Sequence, residues 1–327
     1  MEQITVLLAA YEGENFVAQQ LDSILGQTVQ DIRIMISDDG SGDGTRKILE
    51  EYREKEPSRI FLNHHKREGQ FQDRKGMIPP AAMNFFWLLA HAEGDYILLS
   101  DQDDVWKKQK VEVLLKRIKE LESRFGKDYP ILVHSDMEVV DRDLQQISQS
   151  LFSYQHGNPD RTSLSEILVE NPVTGGAVMM NKAMAGFFRQ VPDACFMHDW
   201  WIALTAACFG AISYVPEALY LYRQHGRNTL GARETGSVRD LAERAGRQKQ
   251  VEENYRKMFA QAAALGRMYG ARLSQSQRMV LTSFLALPLQ SPVGRLRNIT
   301  RNHFYKSSGI QTLAQVFTIP GKDRTRR

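Results

Sequence analysis

The chain has 327 residues, of which 42% are hydrophobic and 25% are charged, a composition that is typical of a folded globular protein and excludes wholesale disorder. The net charge is only +3, but residues 239–327 carry 17 Lys or Arg and 5 Asp or Glu, whereas residues 1–238 are acidic overall. A basic end favours an anionic partner, such as a membrane surface or nucleic acid, and the alternative is a solvated helical hairpin.

The first half of the chain alternates predicted strands with predicted helices. Apolar runs rich in β-branched residues predict strands over residues 4–10, 31–37, 60–64, 95–100 and 131–136. Apolar positions at helical spacing predict helices over residues 14–27, 43–55, 83–92 and 107–125. This alternation predicts an α/β fold with a mainly parallel sheet, in which ligands bind at the carboxyl ends of the strands.

The second half of the chain has a less regular pattern. Its predicted elements are a strand over 173–181, a helix that opens at Asp199, two short strands around a turn over 212–225, and helices over 237–268 and 273–289. We therefore expect an α/β domain over residues 1–236 and a basic, mostly helical extension over residues 237–327.

The cysteines and the apolar segments indicate a protein of the cytoplasm. Cys195 and Cys208 are the only cysteines, and their spacing matches no metal or redox motif, which predicts two reduced, packed thiols. The N terminus lacks the basic start of a signal peptide, and the longest apolar stretch, residues 202–215, is too short to span a bilayer. The sequence thus predicts a cytoplasmic protein that is free or lies on the inner face of the cell membrane.

The segment SDQDD at residues 100–104 is the first candidate site. Asp101 and Asp103 directly follow a predicted strand, and both can reach one divalent cation if the backbone turns there. One or two carboxylates suffice because a bound nucleoside diphosphate supplies further oxygen ligands. The alternative is an acidic N-cap for the next helix, but a cap does not require three crowded carboxylates. We therefore favour a metal site of the Asp-X-Asp type.

The segment SDDGSGDGT at residues 37–45 allows two interpretations. From Asp39 onward it is similar to an EF-hand loop with Glu50 at the twelfth position, which would indicate a calcium-stabilised carbohydrate-binding module. The strand-like segment before it and Arg46 at the usually aliphatic eighth position count against calcium. The other interpretation is a turn at a strand end, where Asp39 accepts the imide N–H of uracil or thymine.

Asp199 and His225 are informative only in combination with these segments. Asp199 precedes two tryptophans at a predicted helix start, where an aspartate often serves simply as an N-cap. His225 stands alone in YRQHGRN, and a lone histidine is more often structural than a ligand. Neither residue identifies a function by itself.

Taken in order, the segments resemble family 2 glycosyltransferases of the GT-A fold. The resemblance is carried by ITVLLAAYEGENFVAQQLDSILGQT, MISDDGSGDGT and GDYILLSDQDDVW. Three later segments, ENPVTGGAVMMN, FMHDWWIAL and ALYLYRQHGRNTLGAR, are similar to bacterial rhamnosyltransferases that build cell-wall polysaccharides. The resemblance covers residues 4–235 and is only general beyond Ser237.

The resemblance implies a role for each candidate residue. The residues that it assigns to the nucleotide-sugar donor are Ala9, Tyr11, Glu12, Asp39, Asp101 and Gln102, with Asp39 reading the base. It implies Asp103 and His225 as ligands of Mg²⁺ or Mn²⁺, and Asp199 as the base that deprotonates the acceptor hydroxyl. His198 stands where the family usually has glutamate, and the loop over 66–80 is longer than expected, so donor contacts there are left open.

The implied reaction is a single displacement that inverts the anomeric centre. The implied donor is dTDP-β-L-rhamnose, and the alternative is a UDP-hexose or UDP-N-acetylhexosamine. The acceptor would be a lipid-linked cell-wall glycan on the cytoplasmic membrane face, which gives the basic extension an anionic membrane rather than nucleic acid as its partner. A homo-oligomer is left open, whereas a processive synthase is not expected because its Q-x-x-R-W signature is absent.

Overall fold

The computed structural model describes residues 2–63, 68–74, 76–226 and 248–321. Within them, one nine-stranded sheet forms the centre of the molecule, in the order β3-β2-β1-β4-β8-β6-β9-β5, with β7 pairing on β6. The strands are β1 (Ile4–Ala10), β2 (Ile32–Asp38), β3 (Ile60–Asn63), β4 (Tyr96–Ser100), β5 (Val105–Trp106), β6 (Ile131–Val140), β7 (Gln146–Ser148), β8 (Val178–Asn181) and β9 (Ala211–Arg223).

The sheet is mixed, but its longest pairings are parallel, as the alternating pattern predicted. Strands β3, β2, β1 and β4 run parallel, β8 is antiparallel to both β4 and β6, and β9 runs parallel to β6. The chain moves outward from β1 to β2 and β3, and then returns to add β4 on the other side of β1. The crevice between the carboxyl ends of β1 and β4 is therefore a topological switch point, where ligands bind in open α/β sheets.

Helices cover both faces of the sheet. Within the described ranges they are α1 (Val17–Leu25), α2 (Thr45–Lys55), α3 (Pro80–His91), α4 (Lys110–Phe125), α5 (Leu151–Gln155), α6 (Leu164–Ile167), α7 (Lys182–Ala185), α8 (His198–Phe209), α9 (Gln248–Tyr269), α10 (Gln275–Leu285), α11 (Pro292–Asn302) and α12 (Gly309–Thr318). Short 3₁₀ turns lie at Gly69–Phe71, Gly175–Ala177, Gly186–Arg189 and Leu287–Leu289. The main predicted helices are present, whereas α11 and α12 were not predicted individually.

The two short strands predicted over residues 212–225 are wrong, because the structure has one continuous strand there. β9 pairs with β6 at Val215, and pairing resumes at Ala218 after a shift in register. Pro216 and Glu217 therefore form a β-bulge rather than a turn. A bulge can contain Pro216, which has no backbone N–H to donate to the neighbouring strand. One strand thus runs from Ala211 to Arg223, and it ends next to the candidate site.

Two hydrophobic cores lie on opposite faces of the sheet, because consecutive side chains of β1 point in opposite directions. Leu8 packs with α1, α2 and α4, whereas Leu7 packs with α3 and α8. The second core continues through α9–α12, where it includes Leu265, Phe304 and Ile319. The predicted helical extension therefore shares a core with the sheet, and the boundary expected at residues 236 and 237 lies outside the described residues.

Both cysteines are packed as expected. Cys195 and Cys208 are buried and form no disulfide, and burial raises the pKa of the Cys208 thiol to about 12. Among the described residues, no helix is both long enough and apolar enough to cross a bilayer.

Candidate active site

A cavity of about 1240 Å³ opens at the carboxyl ends of β1, β2 and β4. It is lined by all nine of the residues proposed from the sequence: Ala9, Tyr11, Glu12, Asp39, Asp101, Gln102, Asp103, Asp199 and His225. The C-terminal helices also reach this cavity through Asn254, Met258 and Lys306. Residues that are scattered through the sequence therefore meet at one place, which is the switch point of the sheet.

The loops that follow β1 and β2 are bonded to each other along one rim of the cavity. The Glu12 N–H donates to Ser41 Oγ at 2.9 Å, and Glu12 Oε1 accepts from the Gly42 N–H at 2.7 Å. The Gly13 N–H donates to Thr45 Oγ1 at 2.8 Å. Glu12 has φ +52°, a left-handed conformation that non-glycine residues rarely adopt, and these bonds hold it there. The Glu12 carboxylate thus holds the two loops of this rim together. The family resemblance implies that Glu12 contacts the nucleotide.

Gln102 joins the loop after β4 to the loop after β1. Its Oε1 accepts from the Tyr11 N–H at 2.8 Å, and its Nε2 donates to the Tyr11 carbonyl at 2.6 Å. A Cβ on Gly13 would lie 2.2 Å from Gln102 Oε1, so the close approach of the two loops requires glycine there. The Gln102 side chain therefore positions the half-exposed Tyr11 across the switch point.

The two aspartates at the end of β2 have different surroundings. Asp38 is buried, and it accepts from Arg46 Nε at 2.7 Å and from the Ser41 N–H and hydroxyl, so it builds the turn itself. Asp39 lines the cavity, and its N–H donates to the Ala10 carbonyl at 2.8 Å. Asp39 is therefore the member of the pair whose side chain lies on the cavity wall.

The loop at 37–45 is not an EF-hand. An EF-hand loop follows a helix, whereas this loop follows the strand β2. Asp43, which an EF-hand would use for calcium, accepts from the Thr45 N–H at 3.0 Å and the Glu14 N–H at 3.2 Å. Its carboxylate therefore joins the first residue of α2 to the loop after β1, and the calcium-stabilised module that rested on this loop is not supported.

Asp103 and His225 form a close pair on the cavity wall. Asp103 Oδ2 and His225 Nε2 lie 2.7 Å apart, although the residues are far apart in the sequence. The His225 ring stacks on Phe16 with a centroid distance of 4.8 Å. Arg223 donates from Nε to the Asp103 carbonyl at 2.8 Å and from Nη2 to Gln19 Oε1 at 2.6 Å. The end of β9 is thereby fixed against the loop after β4.

These two residues fit a divalent cation that completes its shell with ligand oxygens. A carboxylate oxygen and an imidazole nitrogen that lie 2.7 Å apart are suitable ligands for Mn²⁺ or a similar ion. No three His, Cys, Asp or Glu side chains converge on a metal-sized site in the part of the chain that the structure describes. A cation on Asp103 and His225 would therefore depend on oxygens of a bound diphosphate, as the sequence interpretation requires.

Asp101, Asp103 and Asp104 form an acidic cluster in which two carboxyl groups have raised pKa values. Burial raises the pKa of Asp101 to about 7, with smaller contributions from the charges of Asp103 and Asp199. Asp104 does not line the cavity; it is buried, accepts from the Arg223 N–H at 3.2 Å, and has a pKa raised by burial. The three carboxylates of the motif are thus divided, with two on the cavity wall and one inside the protein.

A buried lysine lies behind this cluster. Lys110 Nζ donates to the Gly176 carbonyl and lies 3.7 Å from the centre of the Trp106 ring. Burial lowers the pKa of Lys110, whereas the nearby charges of Asp104 and Asp101 raise it. Lys110 was not singled out in the sequence, since it looks like an ordinary first-turn residue of a surface helix.

Asp199 lies in the first turn of α8 and is held by three hydrogen bonds. Its Oδ2 accepts from the Gly175 N–H at 3.2 Å, and its Oδ1 accepts from the Trp200 N–H at 2.6 Å and from Asn171 Nδ2 at 3.2 Å. Burial raises the pKa of Asp199 to about 7, although the backbone bonds favour the ionised form. The helix begins at His198, so Asp199 is not the N-cap that the sequence suggested. A fixed carboxylate of this pKa is suited to general-base chemistry near neutral pH.

His198, the residue in place of the usual glutamate, is buried and forms part of the cavity wall. Its ring stacks on Phe85 at a centroid distance of 4.0 Å, and burial lowers its pKa to about 3, so the ring is neutral. A Cβ on Gly175 would lie 2.6 Å from His198 Nε2. Gly175 therefore allows His198 to pack and also presents its N–H to Asp199.

Several residues of the site were not identified from the sequence. Asn84 on α3 donates from Nδ2 to the Ser37 carbonyl at 3.1 Å and lines the cavity near Asp39. Asp73, from the loop over residues 66–80, also lines it, whereas residues 66, 67 and 75 of that loop lie outside the described residues. A polar residue within an apolar helix is the signal that could have identified Asn84, which lies in PAAMNFFWLLAH.

Comparisons with known proteins show which proteins the chain is similar to. Residues 5–125 match the family model described as glycosyl transferase family 2. The dTDP-rhamnosyl transferase RfbG of Shigella flexneri is 29% identical over 236 residues, which are 69% of this chain and 74% of that protein. An uncharacterized glycosyltransferase of a Nostoc species is 26% identical over 252 residues, 75% of this chain and 72% of that protein.

The solved structures show the same fold. TarS of S. aureus, in complex with UDP-GlcNAc, is similar over 95% of this chain and 81% of that chain, with a TM-score of 0.55 and 18% identity. At this identity the likeness shows the architecture, which is the GT-A fold with helices at the C-terminal end. Residues 5–125 are therefore similar to family 2 glycosyltransferases, and the described chain has a GT-A fold whose switch-point cavity is lined by the residues proposed from the sequence.

Proposed function

We propose that the protein is a metal-dependent, inverting glycosyltransferase that moves L-rhamnose from dTDP-β-L-rhamnose to a hydroxyl of a lipid-linked cell-wall glycan. The observation that supports it most is the placement of Asp39, the Asp103–His225 pair and Asp199 on the wall of one cavity. The similarity to a protein named dTDP-rhamnosyl transferase favours the rhamnosyl donor.

The nucleotide end of the proposed donor lies at the rim formed by the loops after β1 and β2. Ala9, Tyr11 and Glu12 bound the nucleoside there, and Asp39 accepts the imide N–H of the base. Thymine and uracil carry the same imide N–H, so Asp39 alone does not separate dTDP donors from UDP donors. The UDP-hexose and UDP-N-acetylhexosamine donors therefore remain the alternative within the same chemistry.

The diphosphate end of the donor faces Asp101, Asp103 and His225. A divalent cation held by Asp103 and His225 would offset the negative charge that develops on the departing diphosphate. Arg223 keeps these two residues together. It is the last residue of β9, two positions before His225, and its side chain donates to the Asp103 carbonyl. The acidic wall of the cavity needs such a cation before it can accept a diphosphate.

Asp199 performs the proton transfer in the proposed reaction. It takes the proton of the acceptor hydroxyl while the hydroxyl oxygen forms a bond to the anomeric carbon. The bond from that carbon to the diphosphate oxygen breaks on the opposite face, and its electron pair leaves with the nucleoside diphosphate. The Gly175 N–H and Asn171 hold the carboxylate in a fixed orientation. The anomeric centre is inverted because the hydroxyl attacks once, from the face opposite the diphosphate.

A screen of donors tests the proposed function directly. We expect dTDP-rhamnose with Mn²⁺ to raise the melting temperature more than UDP-glucose or UDP-GlcNAc does, because a ligand stabilises the state that it binds. Hydrolysis of the stabilising donor should stop when EDTA is added. A larger increase in melting temperature with a UDP-sugar would identify that sugar nucleotide as the donor instead of dTDP-rhamnose. Donor hydrolysis that EDTA does not change would contradict the metal dependence.

Replacing Asp39 with alanine should weaken binding of dTDP and of UDP by about 1–3 kcal/mol, the cost of removing one partner of a buried hydrogen bond. Isothermal titration calorimetry with both nucleotides measures the change. Asp31→Ala, at the opposite end of β2, is the matched control and should bind as the parent does. If the parent binds purine and pyrimidine diphosphates equally well, Asp39 does not read the base.

A further inference from the structure

The exposed apolar side chains of this protein are concentrated in its C-terminal helices. Of the fourteen large hydrophobic residues exposed in the described chain, eight lie between Met279 and Phe317. Single exposed apolar residues are ordinary, but a concentration of them marks an interaction surface. The sugar-transfer site does not account for it, since none of these eight residues lines the cavity.

Six of these residues form two helical stripes, which we call the C-terminal apolar face: Leu289, Val293, Leu296, Ile310, Leu313 and Phe317. On α11 and the turn before it they recur at intervals of four and three residues, and on α12 at three and four, so each set lies on one side of its helix. Val293 is 72% exposed and Phe317 is 73% exposed, so both side chains lie largely in solvent.

The opposite sides of these helices are firmly packed. Ile299 and Val316 belong to the buried core, and Arg295 is buried between the helices. The Arg295 guanidinium donates to the Leu287 and Val316 carbonyls at 3.1 Å and to the Ile319 carbonyl at 2.7 Å. Helix α11 and the end of α12 are thus held together. The apolar face is exposed because the opposite sides of these helices are the sides that pack into the core.

The charge around this face indicates what it meets. Residues 254–321 contain nine Lys or Arg and no Asp or Glu. Arg297 and Arg301 are exposed, one and two helical turns after Val293 on the same helix. A second copy of the chain would place cations opposite cations in a two-fold contact, which is unfavourable. An anionic lipid surface complements both the apolar stripes and the positive charge.

We propose that the C-terminal apolar face docks the protein onto an anionic membrane surface, with the apolar side chains among the lipids and Arg297 and Arg301 at the headgroups. Lys306, in the segment between α11 and α12, lines the cavity. Docking would therefore bring the cavity close to the bilayer, where the acceptor of the proposed function is anchored. Only this last point rests on the proposed function, because the docking itself needs neither donor nor acceptor.

Vesicle flotation with the full chain tests the docking. The parent should float with vesicles of phosphatidylcholine and phosphatidylglycerol, and binding should fall when the salt concentration rises or the anionic lipid is omitted. The double variant Leu313→Gln, Phe317→Gln should bind these vesicles about tenfold more weakly, and so should Arg297→Gln, Arg301→Gln. The matched control Phe125→Gln, Ile147→Gln removes two exposed apolar residues elsewhere and should bind as the parent does.

The outcomes separate docking from the alternatives. Thermal unfolding and nucleotide binding of each variant show that the fold and the donor site are intact, so weaker flotation reports the surface alone. Failure of the parent to bind anionic vesicles, or parental binding by the apolar double variant, would overturn the proposal. A parent dimer that the apolar variant converts to a monomer, without vesicle binding by either, would identify the face as a contact between copies instead.

Discussion

Replacing Asp199 with asparagine is expected to lower kcat by roughly 10²–10⁴-fold, the usual contribution of a general base, and to leave donor affinity almost unchanged. Asparagine keeps the size of the side chain, and its oxygen can still accept from the Trp200 N–H. It cannot take the proton of an acceptor hydroxyl. Steady-state kinetics with a saturating donor, together with calorimetric donor binding, measure the two effects separately.

The control for this variant is Asp193→Asn, which makes the same chemical change six residues earlier at an exposed ion pair with Arg267. It should retain the parental kcat. The pH profile provides a second check, because burial raises the pKa of Asp199 to about 7. Below that pH the carboxyl group is protonated and cannot act as a base, so kcat/KM of the parent should fall as the pH is lowered. A folded Asp199→Asn protein with parental kcat would remove Asp199 from the mechanism.

Replacing Asp103 with alanine should abolish sugar transfer and the metal-dependent part of donor binding, because the cation would lose its carboxylate ligand. The fold should persist, since the bond from Arg223 to Asp103 uses the main-chain carbonyl, which alanine retains. Transfer assays and donor titrations with Mn²⁺ or EDTA measure the change. The loss should be far larger than for Asp39→Ala, which removes one contact to the base.

Asp128→Ala is a suitable control for Asp103→Ala, because Asp128 is an exposed aspartate distant from the cavity lining. It should transfer sugar at the parental rate and respond to EDTA as the parent does. Transfer by Asp103→Ala at the parental rate, or donor binding that EDTA does not change in the parent, would rule out the metal assignment. His225→Ala should show an intermediate loss if the imidazole is the second ligand.

The candidate site was predictable because its main residues follow strands. Asp39 and Asp101 come directly after β2 and β4, and the carboxyl ends of parallel strands share one edge of the sheet. The structure places both residues on the wall of one cavity. Arg223 and Asn84 were not found, because their importance depends on partners that are distant in the sequence, namely Asp103 and the Ser37 carbonyl.

The helices and strands were predictable where the local pattern of apolar residues was sufficient. They were not predictable where pairing between distant strands determined the structure. Pro216 looked like the centre of a turn, since proline is common in turns. The long parallel register between β6 and β9 outweighs that preference and absorbs Pro216 as a bulge. The sequence also did not show that α9–α12 share a core with α3 and α8, because a helical pattern does not reveal which element the helix packs against.

That shared core has a consequence for how the protein folds. Leu7, from the first strand, and Ile319, near the C-terminal end, belong to the same cluster of buried residues. During synthesis the ribosome releases β1, α3 and α8 before α9–α12 emerge, so the apolar surface that α9–α12 cover stays exposed until these helices have been made. Contacts between such distant parts of a chain also form slowly. The nascent protein is therefore expected to depend on chaperones that shield apolar surface until α9–α12 close the core.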